Sequence, residues 1–285
     1  MKKTLFIFCI VLFTFCKKPS TSIDYGSNPV VGKYIEVNDI KLYYEVYGEG
    51  EPVLLLHGNG GSIEIMDKQI PAFAEKYKVI AIDSRAQGRS FDSDKEITYA
   101  QMASDVSELI RKLDLKKVYV VGWSDGGNVA LELAYTHPEQ VMKAVVSGAN
   151  YSWQNYLAKK DSFTLAANDP LLDINKAFAK RYYSAFDRLS QQKDRLPVIR
   201  KKLTDLMDKY PNFTLPQLNT INIPILVIAG DHDLISLEHT IELYRNLPKG
   251  QLYIVPAADH GPFILYPEIV NPEIIRFFES NYIRY

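Results

Sequence analysis

The stretch VVGWSDGGNVALELA, Val120 to Ala134, restricts this chain more than any other. Its first part is apolar and β-branched, as in a strand buried on both faces. From Asn128 onward it has the composition of a helix. Between them lie one serine and three glycines, Gly122-Trp123-Ser124-Asp125-Gly126-Gly127. A strand that turns this abruptly into a helix brings neighbouring side chains into collision, which explains glycine at 122 and 126. The turn lifts Ser124 above the sheet at a helix N-terminus. There the backbone N–H of Asp125 and the helix dipole can meet a developing negative charge. G-x-S-x-G between a strand and a helix is the pattern of an exposed nucleophilic serine.

The surrounding sequence alternates strand and helix. KYIEV and IKLYYEVYG flank Asn38-Asp39 and form a hairpin. PVLLLHG, KVIAID, VYVVGW and MKAVVSGA are short apolar runs of the parallel type, and PILVIAGD and QLYIVPA follow later. Between Thr98 and Leu115, Tyr99, Met102, Val106, Leu109, Ile110 and Leu113 recur at helical spacing. LEHTIELYRNL and NPEIIRFFES are further helices. The fold class is therefore α/β: a mostly parallel, eight-stranded sheet with helices on both faces. Residues 31–149 and 220–285 form this core. Residues 150–219 contain no convincing strand and are helical and polar, with aromatics such as Trp153 and Tyr182. Inserted between two parallel strands, they are expected to cap the strands' C-terminal ends, where ligands bind in such sheets.

Residues 1–16 stand apart. Two lysines precede an apolar run from Leu5 to Phe15, shorter than the roughly 20 residues of a membrane span. This is the shape of a secretory signal. The run ends at Cys16, as in a bacterial lipoprotein signal whose cysteine is lipidated and becomes the first mature residue, although Phe15 stands where a small residue normally precedes it. The expected location is exported and lipid-anchored to a bacterial cell-envelope membrane, with residues 17–30 as a flexible tether. The only cysteines are Cys9 and Cys16, so the mature domain depends on its core rather than on disulfides. A net charge of −1 gives no indication of a nucleic-acid partner.

A nucleophilic serine needs a base and an orienting acid. Four histidines follow Ser124. His137 sits in a helix-end loop, and His239 falls inside an amphipathic helix, on its surface. His232 lies between two aspartates. His260, in VPAADHGPF just past the last strand, is the expected base. Asp231 and Asp233 both follow the preceding strand. Asp233, further into the loop, is freer to reach His260. His57 precedes the serine and reads as structural. In HGNGGS, glycines 58, 60 and 61 permit the backbone twist that aims an N–H at the site. Asn59 is the expected oxyanion donor beside Asp125, with Gly60 second. No Lys-Ser/Thr pair follows these glycines, which disfavours a phosphate-binding loop.

On these motifs, from about residue 33 to the end, the chain resembles the α/β-hydrolase fold superfamily. GWSDGG followed by SGAN is similar to its biphenyl hydrolase-like group of serine esterases. The resemblance implies a cofactor-free hydrolase with Ser124, Asp233 and His260 as triad and the N–H groups of Asn59 and Asp125 as oxyanion donors. Small carboxylic esters are the implied substrates. Amino-acid esters enter through Asp125, whose counterpart in that group receives the substrate amine. Trp123 and Trp153 are candidate substrate contacts. A lactone, amide, thioester or carbon–carbon bond can be cleaved by the same triad, and some proteins of this fold bind ligands with little turnover. DSRAQGRS departs from the group's usual Asp then Pro-Gly, in a loop expected to border the entrance.

Overall fold

Each short apolar run forms a strand, and all eight join one sheet in the order β1-β2-β4-β3-β5-β6-β7-β8. The computed structural model describes residues 23–154 and 170–281, with the side chains of 170–178 left out. Cys16 and the signal segment lie outside the described residues. The strands are β1 Gly32–Val37, β2 Ile40–Tyr47, β3 Pro52–Leu56, β4 Lys78–Ile82, β5 Val118–Trp123, β6 Val141–Ser147, β7 Ile225–Gly230 and β8 Gly250–Val255. The β1–β2 and β2–β4 pairings are antiparallel, and every other neighbour is parallel. β3 and β5 are central and nearly all buried, which accounts for their unbroken apolar sequence.

The helices are α1 Gln69–Ala74, α2 Tyr99–Lys112, α3 Asp125–Thr136, α4 Pro170–Leu189, α5 Leu196–Lys209, α6 Leu215–Leu218, α7 Leu237–Arg245, α8 Pro262–Leu265 and α9 Pro267–Glu279. Thr98 caps α2, its hydroxyl accepting the Gln101 N–H at 3.0 Å. Leu109 and Ile110 of α2 and Leu131 and Leu133 of α3 pack with Leu54 and Val120 on one face of the sheet. On the other face, Phe73 of α1 and Ile274, Phe277 and Phe278 of α9 pack with Leu55 and Val121. Ile199, Leu203 and Leu206 of α5 extend the first of these cores into the inserted region between β6 and β7. The only strand-like pairing there, among the described residues, is an isolated bridge between Ser152 and Asn212. No helix among the described residues is long and apolar enough to cross a membrane.

Three expectations need correction. The segment leading into the sheet is anchored well before residue 31. The buried Glu45 carboxylate accepts the Gly26 N–H at 2.8 Å, the Asn28 N–H at 2.9 Å and the Tyr43 and Tyr47 hydroxyls at 2.8 Å each. Tyr25 packs edge-on against Tyr47 at 5.2 Å. A polar composition concealed this because the partner is a carboxylate in the second strand. His239 is buried, stacked on the Tyr151 ring at 4.1 Å, and its Nε2 accepts the Tyr151 N–H at 3.1 Å. Burial pushes its pKa down to about 4, against the opposing charge of Glu242. Finally, α9 starts at Pro267, one turn earlier than Asn271, and carries Pro272 within it.

Candidate active site

The turn after β5 holds Ser124 at φ 54° and ψ −122°, a region that a non-glycine residue occupies only when its surroundings enforce it. The enforcement is visible. The Ser124 N–H donates to the Ser147 carbonyl at 2.7 Å, and its carbonyl accepts the Gly127 N–H at 2.8 Å. A Cβ on Gly122 would run into the Gly126 carbonyl, and one on Gly126 into the Leu56 carbonyl of β3. Both glycines are therefore required by close backbone approach.

The structure brings Ser124, His260 and Asp233 together. His260 Nε2 lies 3.0 Å from Ser124 Oγ, and Nδ1 lies 2.7 Å from Asp233 Oδ1. A carboxylate on Nδ1 assigns the proton there and leaves Nε2 as acceptor for the serine hydroxyl. Asp233 is 4 % exposed, and its Oδ1 also accepts the Ile235 N–H at 3.0 Å. Asp231 turns elsewhere, accepting the Ala258 N–H at 3.2 Å. The Trp123 indole N–H donates to the His260 carbonyl at 2.7 Å, and its ring lies 5.6 Å from the imidazole. Trp123 is thus a buried wall behind the histidine. Trp153 is 37 % exposed at the root of the insertion, tied by its N–H to the Pro211 carbonyl at 2.9 Å.

Gly148 was not anticipated as a site residue. It has φ +58°, and a Cβ there would lie 2.7 Å from His260 Cε1 and 2.8 Å from Nδ1. The imidazole occupies the space that a side chain would take. The quoted SGAN contains this glycine, but only the fold shows what stands against it.

The loop after β3 lies against the nucleophile: a Cβ on Gly58 would sit 3.1 Å from Ser124 Cβ. The Gly60 N–H donates to Gln87 Oε1 at 2.6 Å, so this second-choice donor is already engaged. Among the described residues, neither the Asn59 nor the Asp125 N–H donates to a protein acceptor. Asn59 is held on several sides. Its Nδ2 donates to Asp125 Oδ2 at 2.8 Å and to the Leu203 carbonyl at 3.3 Å, and its carbonyl accepts the Tyr182 hydroxyl. Asp125 Oδ1 accepts the Tyr99 hydroxyl at 2.7 Å. Burial raises the Asp125 pKa, while the Tyr99 and Asn59 donors and the neighbouring His260 pull it down.

The DSRAQGRS loop, expected at the entrance, braces the loop after β3 instead. Besides the Gln87 bond, Asp83 Oδ1 accepts the Ile63 N–H at 2.8 Å, and the Ser84 N–H donates to His57 Nε2 at 3.0 Å. His57 Nδ1–H donates to the Gly58 carbonyl at 2.8 Å. Burial holds its pKa down at about 4, so it is a neutral structural group. Arg85, itself buried, grips Asp105 of α2 with two bonds of 2.7 and 2.8 Å.

A cavity of about 490 Å³ adjoins the site, lined in part by Asn59, Gly60, Tyr182, Phe186 and Leu203. A larger one of about 850 Å³, beside Tyr151, His239 and Glu242, is not lined by Asn59 or Gly60, and neither cavity is lined by Ser124, Asp233 or His260. Among the described residues, no group of three or more His, Cys, Asp or Glu side chains could hold a metal ion.

With this fold and geometry in place, the chain belongs to the alpha/beta hydrolase fold family, whose family model matches residues 51–196. Within it, the chain is 38 % identical over 264 residues to RutD of Caulobacter vibrioides, whose name gives carbamate hydrolysis as a provisional activity; 84 % of this chain and 96 % of that protein are covered. It is 27 % identical over 254 residues to the serine hydrolase BPHL of Homo sapiens, covering 85 % and 84 %. Among solved structures, the S103A variant of the meta-cleavage product hydrolase CumD from Pseudomonas fluorescens IP01 has a TM-score of 0.71 at 22 % identity, covering 88 % of this chain and 98 % of that one. The chain is a hydrolase-fold protein with hydrolase relatives.

Proposed function

We propose that the protein is a serine hydrolase of small carboxylic esters acting through an acyl-enzyme. The observation that carries this is the Asp233–His260–Ser124 arrangement, with bonds of 2.7 and 3.0 Å, at a turn that exposes the serine. Ser124 Oγ attacks the carbonyl carbon while His260 Nε2 takes the hydroxyl proton. Asp233 holds the imidazole and stabilises its charged form. The oxyanion settles between the N–H groups of Asn59 and Asp125, each worth about 3–4 kcal/mol in such sites. His260 then protonates the departing alcohol. A water, deprotonated by the same nitrogen, attacks the acyl carbon; the bond to Ser124 Oγ breaks, His260 returns the proton to Oγ, and the acid leaves.

The test is turnover of a short p-nitrophenyl ester by wild type and Ser124→Ala. Wild-type turnover that the substitution abolishes, with the melting temperature kept, supports the reading. Equal turnover in both overturns it. Wild type that binds acyl compounds without turning them over would indicate a ligand-binding protein, and preference for a lactone, amide, thioester or carbon–carbon bond would move the substrate class. Amino-acid esters are a second reading. They are favoured by a buried carboxylate beside the nucleophile whose partners, Tyr99 and Asn59, are both neutral.

We also propose export and lipidation at Cys16. A tagged fatty acid supplied to the source organism should label the protein, and Cys16→Ser should remove the label. A mature protein that retains residues 1–15 would defeat this proposal.

A further inference from the structure

Asp125 and Asn59 are on different elements, and they are the two residues assigned above as oxyanion donors. Their side chains are bonded to each other, Asn59 Nδ2 donating to Asp125 Oδ2 at 2.8 Å. The second carboxylate oxygen is fixed by the Tyr99 hydroxyl, at 2.7 Å, from the first turn of α2. Asp125 is 5 % exposed. Two hydrogen bonds, one to each oxygen, fix the orientation of this buried carboxyl group.

From this geometry we infer that the Asp125 side chain is a positioning residue, tying the loop after β3 to the start of α3 so that the two oxyanion donors keep a fixed separation. The inference rests on the serine-hydrolase reading and goes beyond it. It gives the carboxylate a use that needs no substrate cation. The β3 loop is otherwise glycine-rich, and Gly60 at φ +71° has open space around its Cα. The Gly58–Asn59 peptide is held from within the loop, its carbonyl accepting His57 Nδ1–H at 2.8 Å and the Gly61 N–H at 3.1 Å, and the side-chain bridge adds a direct coupling of the Asn59 N–H to the start of α3. Oxyanion stabilisation depends on donors that are already in place when charge develops, so a loose donor costs rate rather than substrate affinity.

The bond can be reversed, which supplies a stringent test. In Asp125→Leu, no acceptor remains for Asn59 Nδ2 or for the Tyr99 hydroxyl, and the bridge breaks. In the double variant Asn59→Asp/Asp125→Asn, an amide N–H at 125 can donate to a carboxylate at 59 and the amide oxygen can still accept the Tyr99 hydroxyl, while only the longer 3.3 Å bond to the Leu203 carbonyl is given up. The assay measures kcat and KM on two matched p-nitrophenyl esters, one with an α-amino group and one without, with the melting temperature alongside.

Asp125→Leu should lower kcat about 10–100-fold on both esters, somewhat less than full loss of one donor, with KM little changed. The double variant should recover most of that loss. Tyr99→Phe, which frees one end of the carboxyl group, should lower kcat by a smaller factor on both esters, and it serves if Asp125→Leu fails to fold. A loss confined to the amino ester and expressed in KM would overturn the inference and make Asp125 an amine receptor. Unchanged kcat in Asp125→Leu, or a double variant no better than Asp125→Leu, would also overturn it. If wild type itself does not turn over either ester and Ser124 does not react with a fluorophosphonate, the serine-hydrolase reading fails, and the inference fails with it.

Discussion

Gly148→Ala is the perturbation whose consequence can be worked most directly from the structure. The added methyl would lie 2.7 Å from His260 Cε1, about 0.7 Å short of ordinary contact distance. Backbone cannot relieve this cheaply, because residue 148 is already at φ +58° and its N–H is bonded to the Ile228 carbonyl at 3.0 Å. The imidazole must therefore shift by several tenths of an ångström. It is held at 2.7 Å by Asp233 and at 3.0 Å from Ser124 Oγ, so one of those bonds must lengthen or bend. A displacement near 1 Å costs about 10²-fold in rate, so kcat should fall by about 30–100-fold. The left-handed backbone adds roughly 1–2 kcal/mol of destabilisation for a residue with a Cβ. At this chain length that corresponds to a fall of about 2–8 °C in Tm. The assay is steady-state hydrolysis of p-nitrophenyl acetate together with thermal melting. A variant with kcat within about threefold of wild type would refute the packing reading of this glycine.

Three further outcomes follow from the same structure. Asp233→Asn should lower kcat by about 10⁴-fold, since an amide cannot hold the required tautomer, whereas Asp231→Asn, whose amide oxygen can still accept the Ala258 N–H, should remain close to wild type; the reverse order would move the acid to Asp231. Gln87→Leu leaves the Gly60 N–H without its 2.6 Å partner and should cost about 1–3 kcal/mol in urea unfolding; no loss would mean that this bond does not brace the loop. His239 has its folded pKa lowered to about 4 by burial, so on acidification the unfolded chain takes the proton first. The stability from the neutral ring is fully present above about pH 6.5 and is lost as pH falls to about 4, a loss on the order of 3 kcal/mol. His239→Gln, whose amide oxygen can accept the Tyr151 N–H, should be less destabilised than wild type between pH 7 and 4.5; an equal loss would refute the assignment.

The strands and the nucleophile turn were legible because their signals are local. A buried central strand is apolar throughout, and the glycines at 122 and 126 answer to atoms within a few residues or in the next strand. His260 and Asp233 were legible because the parallel sheet brings its strand ends to one edge, so position along the chain predicts position in space. What stayed hidden depends on contacts without periodicity. Gly148 is one glycine among many until the imidazole stands against it. Gln87 is an ordinary polar residue until the loop after β3 comes to rest on it, and Tyr99 an ordinary helix aromatic until the start of α3 brings Asp125 to its hydroxyl. His239 lay on a helix face that an amphipathic pattern assigned to solvent, but Tyr151 from the start of the insertion covers it. Residues 24–30 looked like a tether because Glu45, which orders them, lies in a strand where alternation predicts only a side-chain direction.

The central claim is that Ser124 is a nucleophile activated by His260, and intact-mass spectrometry after a fluorophosphonate probe tests it most directly. Folded wild type should gain one probe adduct, located by peptide mapping at Ser124. Labelling should be lost in Ser124→Ala and in heat-unfolded protein, and strongly slowed in His260→Ala. An adduct at another residue, or labelling that persists in Ser124→Ala, would contradict it.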